Sequence, residues 1–542
     1  MSLSGGYKIE KLSDSGLSRF VERIYNVIVF GLLAQAFGYI GLRMFFPSIK
    51  LGMIAVKGYT AIGYVAVSIM VIWILYKYVI RKISEEAIIV VVAAVFMLIL
   101  ALQVMAIAYL RVKPTWDFGD IMQGAGDIAK GKPFGYREYF ELYPHNLGVA
   151  MLVGYLMRLA GGYFWAPYIL NVIAINISLV VAYLLSKRVF GIRIAAMVML
   201  LCLFTTPLYL YAPIVYTDTL SMPFPVLSLY CWVLAWDAAK KKRTGRYFIL
   251  FGCIGASAAA GYLLKPVAAI GLAAVIVEVL FAGRVKGEPM ENEDGRVRWK
   301  WGIPALIVSI AVFVAGIQLF RGVVDYTGYS QGIPSEKTFP YTHWLAMGMN
   351  KPWSEGGTSD GYGGFSGPDL IELKKVPTYQ QKEAVTMQRI KDRLTAFGVR
   401  GYGRFLLQKL EWTWTDGTYY VPEKLRREPI QKFKIHDYIL VDKTKNTSQG
   451  YLILAQVVHT IIMLFIFVGG LFAFRRRIHP LYRVMAVMCL GILVFLLFWE
   501  TRSRYITFLI PVFTLMAALS MDTAFRWLEE KTKFLTQRRR EG

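Results

Sequence analysis

Apolar residues in this chain come in blocks of about twenty with very few charges, and these blocks constrain the fold more than any other feature. A helix of about 20 apolar residues spans the roughly 30 Å hydrocarbon core of a bilayer. Charged residues make up only 18% of the 542, whereas about a quarter of a soluble domain is charged. The sequence therefore predicts an all-α polytopic membrane protein with about 12 transmembrane helices. The predicted spans are 24–46, 60–80, 87–110, 164–186, 194–212, 222–238, 247–264, 266–282, 302–320, 451–474, 481–499 and 505–523.

The net charge of +25 is concentrated in clusters near the ends of these blocks. In a soluble protein such an excess would indicate nucleic-acid binding, but lysine and arginine also mark the cytoplasmic ends of membrane spans. We therefore expect a lipid bilayer as a partner, and no nucleic acid. A bacterial cell membrane with both chain termini in the cytoplasm fits the pattern. The clusters that then lie inside are Lys8, Lys11, Arg19 and Arg23, then Lys77, Arg81 and Lys82, then Lys187, Arg188 and Arg193, then 240–243 with Arg246, then 284–300, 475–477 and 538–540.

The apolar segment 146–161 is short for a span, and the orientation of the chain depends on it. If it crossed the membrane, every later cluster would change sides and the positive-inside rule would fail. We therefore predict an interfacial helix on the outer surface. Two large segments, 111–163 and 321–450, are then extracytoplasmic. The second contains a glycine-rich stretch, 356–367, that predicts a flexible loop.

Four polar groups of residues fall at the outer ends of the predicted spans. They are 116–120 (WDFGD), 216–218 (YTD), Lys265-Pro266 and 500–505 (ETRSRY). Each has a structural explanation: an aspartate can cap a helix, Lys265 can extend its ammonium to the interface, and Arg502 with Arg504 can bind lipid headgroups. Ionisable groups near membrane depth are costly and usually mark a site. Taken together, acids and bases at one side predict a centre that needs a base and holds a phosphate.

The sequence resembles the GT-C glycosyltransferases over about residues 100–280 and 480–525. The stretch Asp117-Phe118, Ala125, 131–134 (GKPF) and 143–146 (YPHN) looks like the first outer loop of that superfamily. The later groups 216–218, Lys265-Pro266 and Arg502-x-Arg504-Tyr505 with Pro511 resemble motifs of its polyprenyl-phosphate-sugar branch, which includes protein mannosyltransferases and aminoarabinose transferases. Segment 321–450 matches only loosely, and the first two spans resemble an N-terminal addition.

The resemblance implies a transfer reaction in which a carboxylate deprotonates an acceptor hydroxyl and cations stabilise the departing phosphate. Asp117 matches the position of the base, and Asp120, three residues on, is the competing candidate. Asp218 would orient the acceptor or, with Asp117, help hold a divalent cation such as Mg or Mn. Inversion at the sugar carbon is implied by the family.

The basic residues at the outer ends fit the other half of this chemistry. Lys265, Arg502 and Arg504 would hold the donor phosphate, arginine as a fork and lysine as a point charge. The accessory residues predicted around them are His145, Glu500 and Tyr505.

The resemblance also implies a division of the chain. Residues 1–320 would form a GT-C-like catalytic module with its catalytic loop at 111–163, 321–450 an extracytoplasmic segment, and 451–542 the last transmembrane helices and a cytoplasmic tail. The predicted partners are a polyprenyl-phosphate sugar donor and a glycan, lipid or protein acceptor. Alternative functions are a lipid-linked glycan flippase or transporter, and a glycan polymerase or ligase. A flippase would carry charges in the middle of its spans, where this sequence has few.

Overall fold

The computed structural model describes residues 16–49, 56–133, 135, 137–282, 297–329, 335–440, 449–475 and 479–541. Several residues used in the sequence analysis lie outside these ranges. They are Lys8, Lys11, Phe134, most of the 284–300 cluster, and Arg476 with Arg477.

Helices are the main secondary structure of the described residues, which form isolated β-bridges but no strand. Ser84 begins one of these helices, because its hydroxyl oxygen accepts a hydrogen bond from the Ala87 amide and satisfies a free N–H of the first turn. A π-helical turn, Tyr76–Ile80, extends α2. The first six helices are α1 Gly16–Phe45, α2 Gly58–Leu75, α3 Glu85–Tyr109, α4 Trp116–Ala129, α5 Arg137–Leu142 and α6 Leu147–Leu159.

The next eight helices follow in chain order, and residues 283–296, between the last two of them, lie outside the described residues. Gly191 separates the first two of them with φ +90°, a conformation that a residue with a Cβ atom rarely adopts. The eight helices are α7 Ala166–Phe190, α8 Ile192–Phe204, α9 Pro207–Leu210, α10 Thr217–Leu220, α11 Pro223–Lys240, α12 Thr244–Leu264, α13 Ile270–Ala282 and α14 Val297–Thr327.

The predicted extracytoplasmic segment is also helical. Its longest helix is kinked at Gly398, where φ is +60° and ψ is 173°. The helices are α15 Tyr341–Met347, α16 Gly367–Lys374, α17 Tyr379–Trp414, α18 Val421–Leu425 and α19 Lys434–Ile439. Three further helices complete the chain: α20 Gln449–Arg475, α21 Pro480–Phe498 and α22 Ile510–Glu541.

The predicted fold class, an all-α polytopic membrane protein, is confirmed. In the part of the chain that the structure describes, 10 helices are long and apolar enough to cross a membrane. They are Phe20–Phe45, Gly58–Ile80, Glu85–Tyr109, Ala166–Phe190, Thr217–Lys240, Thr244–Leu264, Trp301–Thr327, Gln449–Phe474, Pro480–Phe498 and Ser503–Phe534.

The other two predicted spans, 194–212 and 266–282, correspond to the shorter apolar helices Ile192–Phe204 and Pro266–Phe281. The first is shortened because the chain leaves the helix at Thr205 and Pro207 begins a new one. Its 13 residues rise only about 20 Å at about 1.5 Å per residue. The prediction of about 12 spans therefore becomes ten long helices and two short ones among the described residues.

Helix α6 covers the segment on which the predicted orientation depends. Its 13 residues extend about 20 Å, too short for a hydrocarbon core of about 30 Å. It packs closely on α4, and a Cβ atom at Gly154 would lie 2.7 Å from the Ile128 side chain. It also contacts α7 and α12. The length agrees with a helix that does not span, while its position on the outer surface stays a prediction.

The core of the protein lies around α22. This helix packs against α7, α8 and α20, and α20 in turn packs against α1. Buried side chains such as Leu515, Met516 and Met521 fill the contact. Helix α1 is held further by Arg483 of α21, which donates to Asn26 and forms a bidentate ion pair with Glu278 of α13. The helix ends that carry the candidate site are therefore anchored to one bundle.

Candidate active site

The structure brings the predicted polar groups together at one end of the bundle. Asp218 lies in α10, Lys265 follows α12, and Arg504 precedes α22. The opposite ends of the same helices carry basic clusters: α11 ends at Lys240, and α12 begins next to Arg243. Asp218 and Arg504 are in direct contact, although they are 286 positions apart in the sequence.

Asp218 is the centre of a buried ion triad. Its side chain is only 4% exposed, and Lys265 donates a hydrogen bond to one carboxylate oxygen. Arg504 donates to the other oxygen at 2.9 Å. A buried carboxylate costs several kcal/mol unless it is paired and hydrogen-bonded, so the two cations are what make this position tolerable. Burial lowers the pKa of Lys265, and the contact with Asp218 opposes that shift.

Local sequence explains why Lys265 can reach Asp218. Pro266 follows it and disfavours the helical conformation for the residue before a proline. Lys265 is accordingly extended, with φ −154°, at the point where α12 ends. Its ammonium lies 5.1 Å from the ring centroid of Tyr505 and 5.3 Å from that of Phe508. These rings keep the charge at the end of the helix and stabilise it by cation–π contact.

Asp117 is the accessible carboxylate of the site. Its side chain is 40% exposed, in contrast to that of Asp218. The Tyr216 hydroxyl donates to Oδ2 at 3.2 Å, and Arg504 Nη2 lies 3.9 Å from the same oxygen. Asp117 is in the first turn of α4, where the helix dipole favours a negative charge. Trp116 before it has φ +53°, an unusual conformation for a bulky residue and a mark of local strain.

Arg504 connects the two aspartates. Its guanidinium is surrounded by aromatic rings, with centroids 5.4 Å away for Trp116, 5.2 Å for Tyr216 and 4.8 Å for Tyr505. Its Nε is buried and has no hydrogen-bond partner among the described residues. Arg504 therefore retains a free donor beside the accessible carboxylate.

The accessory residues are distributed around this centre. Burial, together with the charge of Asp117, raises the pKa of Asp120 to about 6. Glu500 is buried and accepts a hydrogen bond from the Tyr505 hydroxyl at 3.0 Å, and burial raises its pKa. His145 is exposed, and its ring packs against Tyr143 and Trp344. The structure thus places Tyr505 in the centre, next to Lys265 and Arg504, and His145 in an aromatic cluster with Tyr143 and Trp344.

Arg502 has different partners from Arg504. Its Nη1 donates to the Tyr420 hydroxyl at 2.6 Å, and its guanidinium forms an ion pair with Asp360. Asp360 belongs to the glycine-rich stretch 356–367. The sequence predicts a flexible loop there. In the structure the stretch is irregular and packed: Gly361 lies against Trp412, and the Gly363 carbonyl accepts from the Thr501 amide at 2.8 Å. A donor phosphate at Arg502 would share this arginine with Asp360.

Sequence reasoning missed the residues that segment 321–450 contributes to the site. Asp416 accepts hydrogen bonds from Ser503 at 2.6 Å and from the Tyr420 amide at 3.0 Å, and so ties the segment to the 500–505 turn. Lys424 of α18 is buried and lies 3.1 Å above the Trp116 ring. No local pattern distinguishes these residues, because their significance comes from contacts across many residues of sequence.

The predicted divalent cation is not favoured by this donor set. Both oxygens of Asp218 already bond to cationic side chains. Within the described ranges, no group of three or more His, Cys, Asp or Glu side chains could hold a metal ion. A cation bridging Asp117 and Asp218 would have to displace Lys265 or Arg504, and it stays a prediction.

Two solved structures are similar to the chain, both of ArnT from Cupriavidus metallidurans. The structure in the apo state is 14% identical and covers 79% of this chain and 77% of its own; the one bound to undecaprenyl phosphate is 15% identical and covers 80% and 78%. Each has a TM-score of 0.31, which establishes neither fold nor activity here. No curated protein matches the sequence. Residues 17–525 match the family described as conserved hypothetical integral membrane protein, and the chain therefore belongs to that family.

Proposed function

We propose that this protein is a membrane glycosyltransferase that moves a sugar from a polyprenyl-phosphate-linked donor to an acceptor hydroxyl. The observation that carries the proposal is the position of the accessible Asp117 beside Arg504, which also bonds to the buried Asp218. A group that can accept a proton therefore lies next to cations that can bind a phosphate. The resemblance of the same residues to GT-C motifs supports the same chemistry.

In the proposed reaction, the acceptor oxygen attacks the anomeric carbon of the donor sugar. The bond between that carbon and the phosphate oxygen breaks, and the phosphate leaves with the electron pair. Asp117 takes the proton of the acceptor hydroxyl. A single displacement of this kind inverts the configuration of the sugar carbon.

The cations stabilise the negative charge that develops on the departing phosphate. Arg504 offers its free Nε, while Lys265 and Arg502 contribute the positive field around it. Asp218 orients Lys265 and Arg504 through its two oxygens, which fixes the cations before the donor arrives. Asp120, His145, Glu500 and Tyr505 line the same region in supporting roles.

The proposal places the site on the extracytoplasmic face, with both termini inside. It assigns catalysis to residues 1–320 with the loop 111–163. The extracytoplasmic segment 321–450 and the C-terminal part 451–542 complete the site, since Tyr420 and Arg502 meet there. The acceptor is a glycan, a lipid or a protein.

The test is sugar transfer by the purified full chain in lipid nanodiscs. Radiolabelled polyprenyl-phosphate sugars are incubated with a membrane extract as the source of acceptor, and release of polyprenyl phosphate is measured. We expect release with the wild type and a fall of at least ~10²-fold for Asp117→Asn, which keeps the size of the side chain but cannot act as the base.

A parallel measurement separates this proposal from transport. Proteoliposomes containing the same donors are assayed for movement of the lipid-linked sugar between leaflets. Movement without sugar transfer would replace the glycosyltransferase by a flippase. Equal transfer by the wild type and Asp117→Asn would show that Asp117 is not the base.

A further inference from the structure

Lys424 is a buried lysine whose ammonium has no anionic partner. The residue is 4% exposed and belongs to α18, in segment 321–450. Its Nζ lies 3.1 Å above the centroid of the Trp116 ring and 5.7 Å from that of Tyr420. Among the residues that the structure describes, no carboxylate or carbonyl accepts a hydrogen bond from this ammonium. A charge held only by an aromatic face is only partly compensated for its burial.

The charges around Lys424 make its position more unfavourable. Burial lowers the pKa of Lys424 well below its usual value, and the positive charges of Arg504 and Arg427 lower it further. Asp117 is the nearby negative charge that opposes them. A site with this excess of positive charge is stabilised by the binding of an anion.

A second lysine shows what a purely structural buried lysine looks like in this protein. Lys409 of α17 is fully buried. Its Nζ donates to three backbone carbonyls, those of Gly348 at 2.6 Å, Leu497 at 3.0 Å and Trp499 at 2.7 Å. Lys409 therefore holds α17 to neighbouring segments. Lys424 lacks any such set of acceptors, so packing alone does not explain it.

The geometry next to Lys424 indicates which anion would bind. The unpartnered Nε of Arg504 belongs to a guanidinium 5.4 Å from the same Trp116 ring. Lys424 and Arg504 therefore both have unused hydrogen-bond donors beside the Trp116 ring. Asp117 follows Trp116 in the sequence. An anionic group between the two cations would stand beside the base, which is where the phosphate of a donor must lie when its sugar is attacked.

We propose that Lys424 is a phosphate-binding residue of the donor site and that its ammonium moves from the face of Trp116 to the phosphate when the donor binds. The proposal rests on the glycosyltransferase function given above. It makes segment 321–450 a direct contributor to donor binding. The two lysines at the centre then have different roles, because Lys265 forms an ion pair with Asp218 while Lys424 binds the phosphate.

The experiment compares two ligands and four variants of the full chain in nanodiscs, of which two replace Lys424. The ligands are polyprenyl phosphate and the neutral polyprenol of the same length, and the measurements are affinity and the thermal midpoint without ligand. We expect Lys424→Met to weaken polyprenyl phosphate binding at least tenfold and to leave polyprenol binding unchanged. It should also raise the midpoint, because removing an unpaired buried charge is stabilising.

Two matched variants provide the controls. Lys409→Met should lower the midpoint, because it leaves three carbonyls without a donor. Arg426→Met removes a charge two residues from Lys424, at a side chain that is 51% exposed and pairs with Glu423, and should change neither quantity. Replacing a lysine with a purely structural role would not both raise the thermal midpoint and weaken polyprenyl phosphate binding.

The outcomes separate this inference from the proposed function. Polyprenyl phosphate affinity within twofold of wild type in Lys424→Met overturns the role of Lys424 and leaves the donor proposal standing. The role of Lys424 is also overturned if Lys424→Met lowers the thermal midpoint and Lys424→Gln prefers polyprenyl phosphate over polyprenol as strongly as the wild type does. A wild type that binds polyprenyl phosphate no better than polyprenol overturns both.

Discussion

At the residue scale, Asp117 and Asp218 carry the same side chain in opposite surroundings. Asp218 is buried and pairs with both Lys265 and Arg504, whereas the Asp117 side chain is 40% exposed to solvent. A buried carboxylate that is paired with cations stabilises the fold, whereas an accessible carboxylate can contact a substrate. The two aspartates should therefore differ in what their removal does to stability.

We predict that Asp218→Asn destabilises the protein and that Asp117→Asn does not. Removing one partner of a buried ion pair costs about 3–5 kcal/mol, because the remaining charges lose their counter-ion. Lys265 and Arg504 would both be left in this position. The measurement is the thermal midpoint of each purified variant without ligand. A midpoint for Asp218→Asn equal to that of the wild type would show that the triad contributes nothing to the fold.

Asp120 gives a prediction about pH. Burial and the charge of Asp117 raise its folded pKa to about 6, above an unfolded value of about 3.9. A carboxyl with a raised pKa is more easily protonated in the folded state, so its contribution to stability is greatest at low pH and is lost as pH rises from about 4 to about 6. Asp120→Asn should therefore lose less stability than the wild type between pH 4 and 7. Identical pH dependence of the two midpoints would contradict the shift.

At the scale of single elements, whether an apolar run can span the membrane depended more on the length of its helix than on its composition. The runs 146–161 and 194–212 are both mainly apolar, but α6 and α8 each have only 13 residues. Helix α8 is followed by the chain that leads to Asp218, so its early end releases a segment that reaches the site. Helix α6 supports α4, the helix that begins beside Asp117.

For α6 we predict that both ends face the same side of the membrane. Single cysteines are introduced at Gly135 and Gly161 in a background without the four native cysteines, and a membrane-impermeant thiol reagent is applied to intact cells. Both positions should be labelled from the outside, since a helix of about 20 Å cannot cross the hydrocarbon core. Labelling of one position only would mean that the segment crosses and that later spans are inverted.

At the scale of the whole molecule, the basic clusters and the candidate site lie at opposite ends of the same helices. Helices α11 and α12 join Asp218 and Lys265 to the cluster 240–243. The positive-inside rule then predicts that the site lies on the outer face. The predicted sides of both chain termini and of segment 321–450 follow from this orientation.

The prediction for the whole molecule is that a reporter fused near Gly361 is outside and one near Arg243 is inside. The expected pair of results follows from the charge clusters, which agree only in this orientation. Alkaline phosphatase and fluorescent-protein fusions at the two positions measure it. Reporters on the same side would contradict both the topology and the proposed extracytoplasmic site.

The sequence by itself determined the membrane fold and the residues at the helix ends. Transfer of apolar side chains from water to lipid depends on composition over about twenty consecutive residues, so spans can be found without knowing how they pack. Asp117, Asp218, Lys265 and Arg504 were recognisable as candidates because acids and bases grouped near membrane depth, at the span ends opposite the basic clusters, usually mark a site.

Only the tertiary structure decided how those residues divide their roles. It separated Arg502, which pairs with Asp360, from Arg504, which pairs with Asp218, although the two are neighbours in the chain. It also brought Lys424 to Trp116 across about 300 residues. Contacts of this kind depend on how helices and outer segments pack in three dimensions, and burial and pairing, which set charge and reactivity, exist only after that packing is formed.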